Sequence, residues 1–162
     1  MKSCGKGPVV NSLIVYDSVF GHTEYLASVI ASQLVRAGKS NIVHVQGAGL
    51  ALLHGVDLLI VGSPTHKHKA TSTVQEWLAR LPREASKELP AAAFDTRYGI
   101  SRLKSGSAAR PIARRLRRKG CRLVVPPESF FVESREGPLE NGEAERAREW
   151  AATILRRMGP ST

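Results

Sequence analysis

Hydroxyl-bearing residues and a glycine stand together where an apolar run gives way to a helical pattern. Ser18, Gly21 and Thr23 lie between the apolar run Ser12–Tyr16 and the helical segment Thr23–Ala37. Hydroxyl groups and free backbone N–H groups at a helix N-terminus attract anions, and the helix dipole adds to that attraction. Gly21 lets the backbone approach a ligand closely. The spacing predicts an anion-binding turn that is neither a Walker loop nor a G-x-G-x-x-G turn.

Two further polar segments follow apolar runs and are expected to lie beside this turn. They are the loops Gly62–Ala70, after the apolar run Val56–Val61, and Asp95–Ser107, after the apolar run Ala91–Phe94. In doubly wound sheets, ligands bind at the carboxyl ends of the strands near a topological switch point. The three segments are therefore predicted to form a single site.

Five short apolar runs alternate with helical patterns along the chain. The predicted strands are Ser12–Tyr16, Asn41–Val45, Val56–Val61, Ala91–Phe94 and Arg122–Val125. The helices are predicted over Thr23–Ala37, from a cap at Ser72 or Thr73 to Pro82, from near Ser107 to Gly120, and from near Asn141. Continuous apolar strands indicate a parallel sheet that is covered by helices on both faces. We expect one domain over residues 9–158, with residues 1–8 and 159–162 as flexible termini.

The first turn and its flanking residues resemble the flavodoxin signature. Every residue type that the signature requires is present, at Ile14, Val15, Tyr16, Ser18, Gly21, Thr23, Ala27 and Ile30. The resemblance implies a three-layer α/β/α flavodoxin-like fold, with a five-stranded parallel sheet of order 2-1-3-4-5 and FMN as the cofactor. It also implies that the FMN phosphate is held by Ser18, Val19, Phe20, Gly21, His22 and Thr23.

The other two segments resemble the second and third flavodoxin loops. The resemblance implies that Pro64, Thr65 and His66 lie beside the flavin ring. It implies further ring contacts from the third loop, by Asp95, Thr96, Arg97 and Tyr98, with Tyr98 stacked on the ring. The second loop departs from the family pattern, because the run His66-Lys67-His68-Lys69 contains no Trp or Tyr, the residues that often stack on the flavin in this loop. His66 is left to stack or to form a hydrogen bond instead.

The positive charge of the chain is concentrated in one stretch. The chain has 24 Lys and Arg residues against 14 Asp and Glu residues, which gives a formal net charge of +10. Arg97 to Arg122 accounts for the whole excess and contains no acidic residue. Arg97, Arg102 and Lys104 are expected to raise the potential at which the flavin takes up its second electron. The helix that follows is expected to dock a redox partner with an acidic surface.

Three functions are compatible with these residues. An electron carrier between a reductase and an acceptor is the leading hypothesis, because the loops contain no recognisable nucleophile or acid–base pair. An FMN-dependent NAD(P)H:quinone-type reductase or protoporphyrinogen-oxidase-like enzyme is the alternative, so it stays open whether the chain is an enzyme. A basic module that binds anions or nucleic acid without flavin ranks third, since only Tyr98 is available for base stacking.

Targeting and cysteine patterns point to an intracellular setting. The start of the chain has no signal-peptide pattern, and the most apolar window, Gly49–Val61, is too short to span a bilayer. Two cysteines, Cys4 and Cys121, cannot build a disulfide framework and do not have metal-ligand spacing. We expect a cytoplasmic protein with no membrane association and no metal site.

Overall fold

A parallel six-stranded sheet forms the centre of the computed structural model, which describes residues 9–100 and 105–159. Its strands are β1 (Val10–Tyr16), β2 (Gly38–His44), β3 (Leu58–Pro64), β4 (Pro90–Tyr98), β5 (Arg122–Leu123) and β6 (Glu128–Val132). Their order is β2-β1-β3-β4-β5, and β6 also pairs with β4. The predicted order 2-1-3-4-5 is therefore confirmed.

Helices cover both faces of the sheet. They are α1 (His22–Leu34), α2 (Ser72–Arg80), the single turn α3 (Arg83–Ser86), α4 (Ala109–Arg118) and α5 (Glu143–Met158). Short 3-10 turns occupy Val35–Ala37, Val45–Gly47 and Leu50–Leu53. The helices α1 and α5 pack in one core cluster, and α2 and α4 pack in the other. This arrangement confirms the three-layer α/β/α prediction.

Alternate side chains of the central strands supply the two cores. In β1, Leu13 and Val15 belong to the core under α2 and α4, whereas Ile14 and Tyr16 belong to the core under α1 and α5. Both sets are buried because successive side chains of a strand point to opposite faces of the sheet. A continuous apolar run is thus what a strand covered on both faces requires.

Two strands extend further than the sequence pattern predicts. The segment Gly62-Ser63-Pro64 was expected to end β3, but it remains paired with Phe94, Asp95 and Thr96 of β4. The expected loop Asp95–Tyr98 likewise belongs to β4, because β6 pairs with Phe94–Tyr98 along the other edge. These segments contain polar side chains, so a prediction based on apolar runs did not assign them to strands.

The position of the fifth strand is divided between two short strands. The predicted strand Arg122–Val125 is only two residues long as β5, which pairs with Pro90 and Ala91. The strand β6 was not predicted, and it continues along the same edge of β4. Pro126 and Pro127 lie between the two strands and have no N–H to donate to a ladder.

Helix starts also differ from their predicted positions. The cap of α2 is Thr71 rather than Ser72 or Thr73, since the Thr71 hydroxyl accepts a hydrogen bond from Val74 N at 3.4 Å. Gly142, in the left-handed region at φ 86°, precedes α5.

The helices formed by residues 9–100 and 105–159 include none with the length and apolarity that crossing a bilayer requires.

Gly62 is expected to be intolerant of a side chain. A Cβ at this position would overlap the ring of Phe94, which is fully buried and packed edge-to-face against Phe130 and Trp150. We expect Gly62→Ala to lower the free energy of unfolding by about 2 kcal/mol, the usual effect of overpacking a core. Urea denaturation measures it. Gly49→Ala is the control, because no atom lies within 4 Å of the added methyl group, and equal losses in both variants would contradict the prediction.

Candidate functional site

A cleft of about 530 Å³ opens where β1, β3 and β4 end. Its walls come from the three loops predicted from the sequence and from two further segments, one before α4 and one at the end of β6. The lining residues are Ser18, Val19, Phe20, His22, Thr23, Pro64, Thr65, His66, Lys67, His68, Thr96, Arg97, Tyr98, Ile100, Ser105, Val132 and Arg135. Two of the predicted site residues, Gly21 and Asp95, are not among them. The cleft lies at the carboxyl edge of the sheet, as a doubly wound topology predicts.

The first loop closes tightly on itself at the start of α1. The Ser18 hydroxyl accepts hydrogen bonds from Gly21 N at 3.1 Å and from Glu24 N at 3.4 Å. Gly21 adopts φ 92° directly before the helix, a conformation that favours glycine. Asp17 holds the other end of the loop, since its Oδ1 accepts from Ser18 N at 2.8 Å and lies 3.1 Å from His44 Nε2.

Several backbone donors remain available at this helix N-terminus. Within the described part of the chain, no acceptor is found for the N–H groups of Val19, Phe20, His22 and Thr23. The first N–H groups of a helix have no partner inside the helix, and they carry the positive end of its dipole. The geometry therefore suits an anion at the first loop.

A further loop, which follows β6, packs against His22. Residues 133–138, here called the 133–138 loop, are braced by hydrogen bonds from Glu133 N to Pro138 O at 2.9 Å and from Gly137 N to Ser134 O at 3.0 Å. A Cβ at Gly137 would overlap the His22 ring. The His22 Nε2 atom is buried and has no hydrogen-bond partner among the described residues. Arg135, in the same loop, is exposed and lines the cleft.

Thr23 and Thr96 join α1 to β4 beneath the cleft. Their hydroxyl oxygens lie 3.2 Å apart, and both residues are buried. Each therefore presents little surface to a ligand, although both line the cleft. Their hydrogen bond fixes the first loop relative to the third.

The second loop is held in one conformation by its neighbours. His66 and Lys69 exchange backbone hydrogen bonds of 2.7 and 3.0 Å, with Lys67 and His68 at positive φ between them. A Cβ at Gly106 would overlap His68, so the segment before α4 packs directly against this loop. The lack of an aromatic residue here leaves His66, Lys67 and His68 to form the wall.

Asp95 lies behind the cleft wall and supports α4. Its Oδ2 accepts hydrogen bonds from Ser107 Oγ at 2.6 Å and from Ala109 N at 2.9 Å, and the residue is fully buried. Burial raises the pKa of the Asp95 carboxyl above its ordinary value, although both hydrogen bonds oppose that shift. The direct contact with a cofactor that the resemblance implies for Asp95 stays a prediction.

Arg97 braces the third loop. Its Nε donates to Ser129 Oγ at 2.9 Å, and its Nη1 donates to Ile100 O at 2.8 Å. The guanidinium carbon lies 5.0 Å from the centroid of the Phe131 ring, within the range of a cation–π contact. The other two cations predicted for this loop, Arg102 and Lys104, lie outside the described residues.

Exposed apolar side chains line the open part of the cleft. Phe20 is 46% exposed and Tyr98 is 40% exposed, on the first and third loops respectively. Val19 and Ile100 are also exposed beside them. Aromatic faces left open in a cleft suit a planar ligand, because stacking gains area at a low cost in side-chain entropy. Stacking by Tyr98 stays a prediction, and the structure adds Phe20 as a second candidate.

The sequence interpretation missed six lining residues: Lys67, His68, Ile100, Ser105, Val132 and Arg135. Val132 and Arg135 were missed because β6 was not predicted. The apolar triplet Phe130-Phe131-Val132 after two prolines was the available signal. Among the described residues that line the cleft, three carry a full positive charge and none is acidic, so the cleft favours anions.

A charged cluster attaches β6 to α5 and thereby holds one cleft wall. The Glu143 carboxylate accepts from Phe131 N at 2.7 Å and from Arg146 Nη2 at 2.7 Å. Arg146 also donates to Glu128 and to the carbonyl oxygen of Ser129. Burial alone would raise the pKa of Glu143, but the Arg146 guanidinium and the Phe131 N–H outweigh it and hold this pKa below its ordinary value.

Arg146→Ala is expected to lower the free energy of unfolding by about 2 kcal/mol, after a discount for the partial exposure of the guanidinium. Because the pKa of Glu143 is lowered in the fold, its contribution is present above its ordinary value of 4.5 and is lost as the pH falls. Urea titrations at pH 7 and pH 4 should therefore show a smaller difference from the parent at pH 4. Arg148→Ala removes only an exposed pair with Glu145 and should change little. A difference that does not depend on pH would contradict the assignment to Glu143.

Solved structures with the same fold include flavodoxins. A flavodoxin from the domain Archaea matches with a TM-score of 0.77 and 16% identity, over 91% of this chain and 98% of that one. Oxidised flavodoxin 2 from Bacillus cereus matches with a TM-score of 0.77 and 20% identity, over 91% and 99%. The chain also matches 38% of rubredoxin oxygen:oxidoreductase from Desulfovibrio gigas, over 95% of its own length, with a TM-score of 0.75 and 20% identity. Comparison with family models and with curated proteins finds no match. The chain has a flavodoxin-like fold.

Proposed function

We propose that this chain is an FMN-binding, flavodoxin-like redox protein that carries electrons between a reductase and an acceptor. The observation that carries the proposal is the cleft at the carboxyl ends of β1, β3 and β4. One end of the cleft offers free backbone donors at the start of α1, and its open part offers exposed aromatic faces. A ligand with a phosphate at one end and a planar ring at the other suits both features.

The residues present fit FMN on three further counts. The volume of about 530 Å³ falls within the range of small-molecule sites. His22, at the start of α1, lines the cleft, and its buried Nε2 has no partner among the described residues. No acidic side chain occurs among the described lining residues, so a dianionic phosphate meets no like charge there.

The first and third loops then have distinct tasks in the proposed function. FMN supplies electron transfer when it is bound, one or two electrons at a time. The first loop holds the phosphate with backbone N–H groups, and Phe20 and Tyr98 cover the ring. Arg97 keeps the third loop in place through its bonds to Ser129 and Ile100. Held in these positions, the loops would exclude water from part of the ring and leave the open side of the cleft accessible to a partner.

We include a redox partner with an acidic docking surface in the proposal. The positive excess of the chain lies in the stretch Arg97–Arg122, which supplies part of one cleft wall and the adjoining helix α4. Complementary charge speeds the encounter of proteins and orients them. Docking beside the cleft would bring the partner's redox centre towards the flavin edge.

An absorbance spectrum of the purified protein, with and without added FMN, tests the central claim. We expect flavin bands in the protein fraction and quenching of FMN fluorescence on titration. Tyr98→Ala should weaken FMN binding, because it removes an aromatic face from the cleft. Tyr25→Ala is the matched control, since Tyr25 is 49% exposed on α1 and does not line the cleft. The absence of flavin bands and of quenching would refute FMN binding.

An enzyme that uses the same cleft is the second candidate. The cations lining the open cleft would admit an anionic nicotinamide or another acidic substrate, as in an NAD(P)H:quinone-type reductase or a protoporphyrinogen-oxidase-like enzyme. Anaerobic stopped-flow mixing separates the two functions. Rapid bleaching of bound flavin by NADPH alone would favour the enzyme, whereas reduction that needs a partner reductase favours the carrier.

We expect Lys67 to raise the potential at which bound FMN takes up its second electron. A cation near the ring stabilises added negative charge, so Lys67→Gln should lower that potential by about 40 mV, or about 1 kcal/mol after screening by solvent. Spectroelectrochemical titration of the FMN complex measures the change. Lys39→Gln, on β2 and outside the cleft lining, controls for net charge. An unchanged potential in the Lys67 variant would show that Lys67 does not tune it.

A further inference from the structure

A second concave site lies between α2 and α4, directly beside the cleft. This groove measures about 560 Å³ and is lined on its polar side by five basic residues: His68, Lys69, Arg110, Arg114 and Arg115. Its apolar lining includes Leu78, Pro111 and Ile112. No carboxylate belongs to the described lining of the groove. We call it the α2–α4 groove.

The arginines of the groove have no carboxylate partner among the described residues. In the parts of the chain that the structure describes, no carboxylate forms an ion pair with Arg110, Arg114 or Arg115. On the opposite face of the sheet, by contrast, Arg146 and Arg148 of α5 are both paired. The positive charge of α4 is thus available for an external anion.

The arrangement of these charges is unfavourable for the isolated chain. Arg110 and Arg114 are four residues apart on one side of α4, and like charges at this spacing destabilise a helix. Arg110 also lies in the first turn, where the helix dipole disfavours a cation. An external anionic group seated along this side would relieve both repulsions at once.

The groove and the cleft share a wall. His68 lines both, and its backbone bridges to Gly106 in the segment before α4. A protein segment lying in the groove would therefore place the rest of the partner over the open edge of the cleft. The described lining contains no Phe, Tyr or Trp on which nucleic-acid bases could stack, and Leu78 and Ile112 offer apolar contacts, so a protein fits better than a single-stranded nucleic acid.

We propose that the α2–α4 groove is the docking site for an acidic segment of the redox partner, with carboxylates seated on Arg110, Arg114 and Arg115. The role in electron transfer rests on the proposed function. The docking itself depends on charge complementarity and can be measured on the chain without flavin. Carboxylates of the partner would pair with the guanidinium groups at the rim, and its apolar side chains would contact Leu78 and Ile112.

Calorimetric titration with an oxidised plant-type [2Fe–2S] ferredoxin, a strongly acidic protein, tests the docking site. At 50 mM NaCl we expect saturable binding to the flavin-free chain, and Arg114→Glu should weaken it by about tenfold. Arg157→Glu makes the same change in net charge on the exposed opposite side, on α5, and should change binding by less than about twofold. The difference between the two variants should disappear at 500 mM NaCl. Circular dichroism confirms that both variants are folded.

Three results would overturn the docking site. They are no ferredoxin binding at 50 mM NaCl, equal weakening in the Arg114 and Arg157 variants, and tighter binding of a 12-base-pair DNA duplex than of ferredoxin at 150 mM NaCl. Failure of the proposed function has a different signature. In that case FMN would not bind to the parent chain, while ferredoxin binding would still depend on Arg114.

Discussion

Riboflavin is expected to bind this chain about 100-fold more weakly than FMN. The two ligands share the flavin ring and differ in the phosphate, so the ratio of their affinities isolates the contribution of the phosphate end of the cleft. That end combines the free N–H groups of Val19, Phe20, His22 and Thr23 with the positive end of the α1 dipole. Hydrogen bonds to a charged group contribute about 1.5–3 kcal/mol each, and a factor of 100 corresponds to about 2.7 kcal/mol.

Arg135 provides a variant that acts on the phosphate alone. The 133–138 loop packs against His22 through Gly137, so Arg135 reaches the cleft from the side of the α1 N-terminus. No carboxylate among the described residues pairs with it. We expect Arg135→Gln to weaken FMN binding by about tenfold and to leave riboflavin binding unchanged.

Fluorescence titration with both ligands gives the four affinities that this comparison needs. Arg148→Gln removes one positive charge from α5, outside the cleft, and should change neither affinity. Equal affinities for FMN and riboflavin in the parent chain would contradict phosphate recognition by the first loop. A loss of riboflavin affinity in the Arg135 variant would show that this side chain acts on the ring or on the fold instead.

Asp95→Ala should lower the free energy of unfolding by about 3 kcal/mol. The substitution leaves the Ser107 hydroxyl and the Ala109 N–H without their buried acceptor, and each such group costs about 1–3 kcal/mol. It also removes the only side chain seen to accept a hydrogen bond from the first turn of α4 within the described residues. Because α4 supports the second and third loops, FMN affinity should fall together with stability.

Urea denaturation of two further variants, Asp57→Ala and Asp95→Asn, separates the loss of the buried acceptor from the loss of a surface hydrogen bond and from the loss of the charge. Asp57→Ala is the matched control, because the Asp57 carboxylate accepts from Asn11 N at 2.8 Å at an exposed site, and its loss should cost less than about 1 kcal/mol. Asp95→Asn keeps an acceptor for Ser107 and Ala109 and removes the ionisation. Similar losses in the Asp95→Ala and Asp57→Ala variants would contradict the supporting role of Asp95.

The pH dependence of the Asp95→Asn variant has a defined sign. Burial raises the pKa of Asp95 in the fold, so the folded chain holds the proton more tightly than the unfolded chain does. Ionisation of Asp95 therefore lowers the stability of the parent as the pH rises from the ordinary value of 3.8 towards the raised value. The stability of Asp95→Asn relative to the parent should increase over that interval. A difference that is constant with pH would show that Asp95 does not ionise differently in the two states.

The parallel sheet could be expected from local patterns, whereas its strand order was implied by the resemblance to flavodoxins. The core side chains of β1 and β3 form continuous apolar runs because both faces of these strands are covered. The turn containing Ser18, Gly21 and Thr23 was recognisable because its task is local, at the start of a single helix. Eleven of the thirteen predicted site residues line the cleft in the structure, and those of the second and third loops were identified through the resemblance to flavodoxins.

Long-range pairing explains what was missed. The residues Asp95–Tyr98 form part of β4 because β6 pairs with them from 34 positions further along the chain, and β6 itself is recognisable only as that partner. Arg135 and the packing of Gly137 on His22 depend on the same strand. Nothing near these residues in the chain specifies which distant segment they will meet.

Asp95 and Arg97 show how tertiary contacts can give a residue a supporting role that the sequence did not indicate. Both belong to a segment that resembles a flavin-binding loop, and a polar residue there reads as a ligand contact. In the structure, the Asp95 carboxylate faces Ser107 and Ala109, and Arg97 is engaged with Ser129 and Ile100. Alternation along β4 and the position of its neighbours decide which way each side chain points.

The residue types alone predicted a parallel sheet with an anion-binding turn at its edge, and they showed a positive excess confined to Arg97–Arg122. Those properties depend on periodicity, helix capping and composition, which act over a few residues. The tertiary structure decided which cations line the cleft, which brace a loop and which line the α2–α4 groove. Whether a cation is buried or paired depends on segments that are distant in the chain and meet only in the folded structure. The sequence alone therefore does not assign these roles.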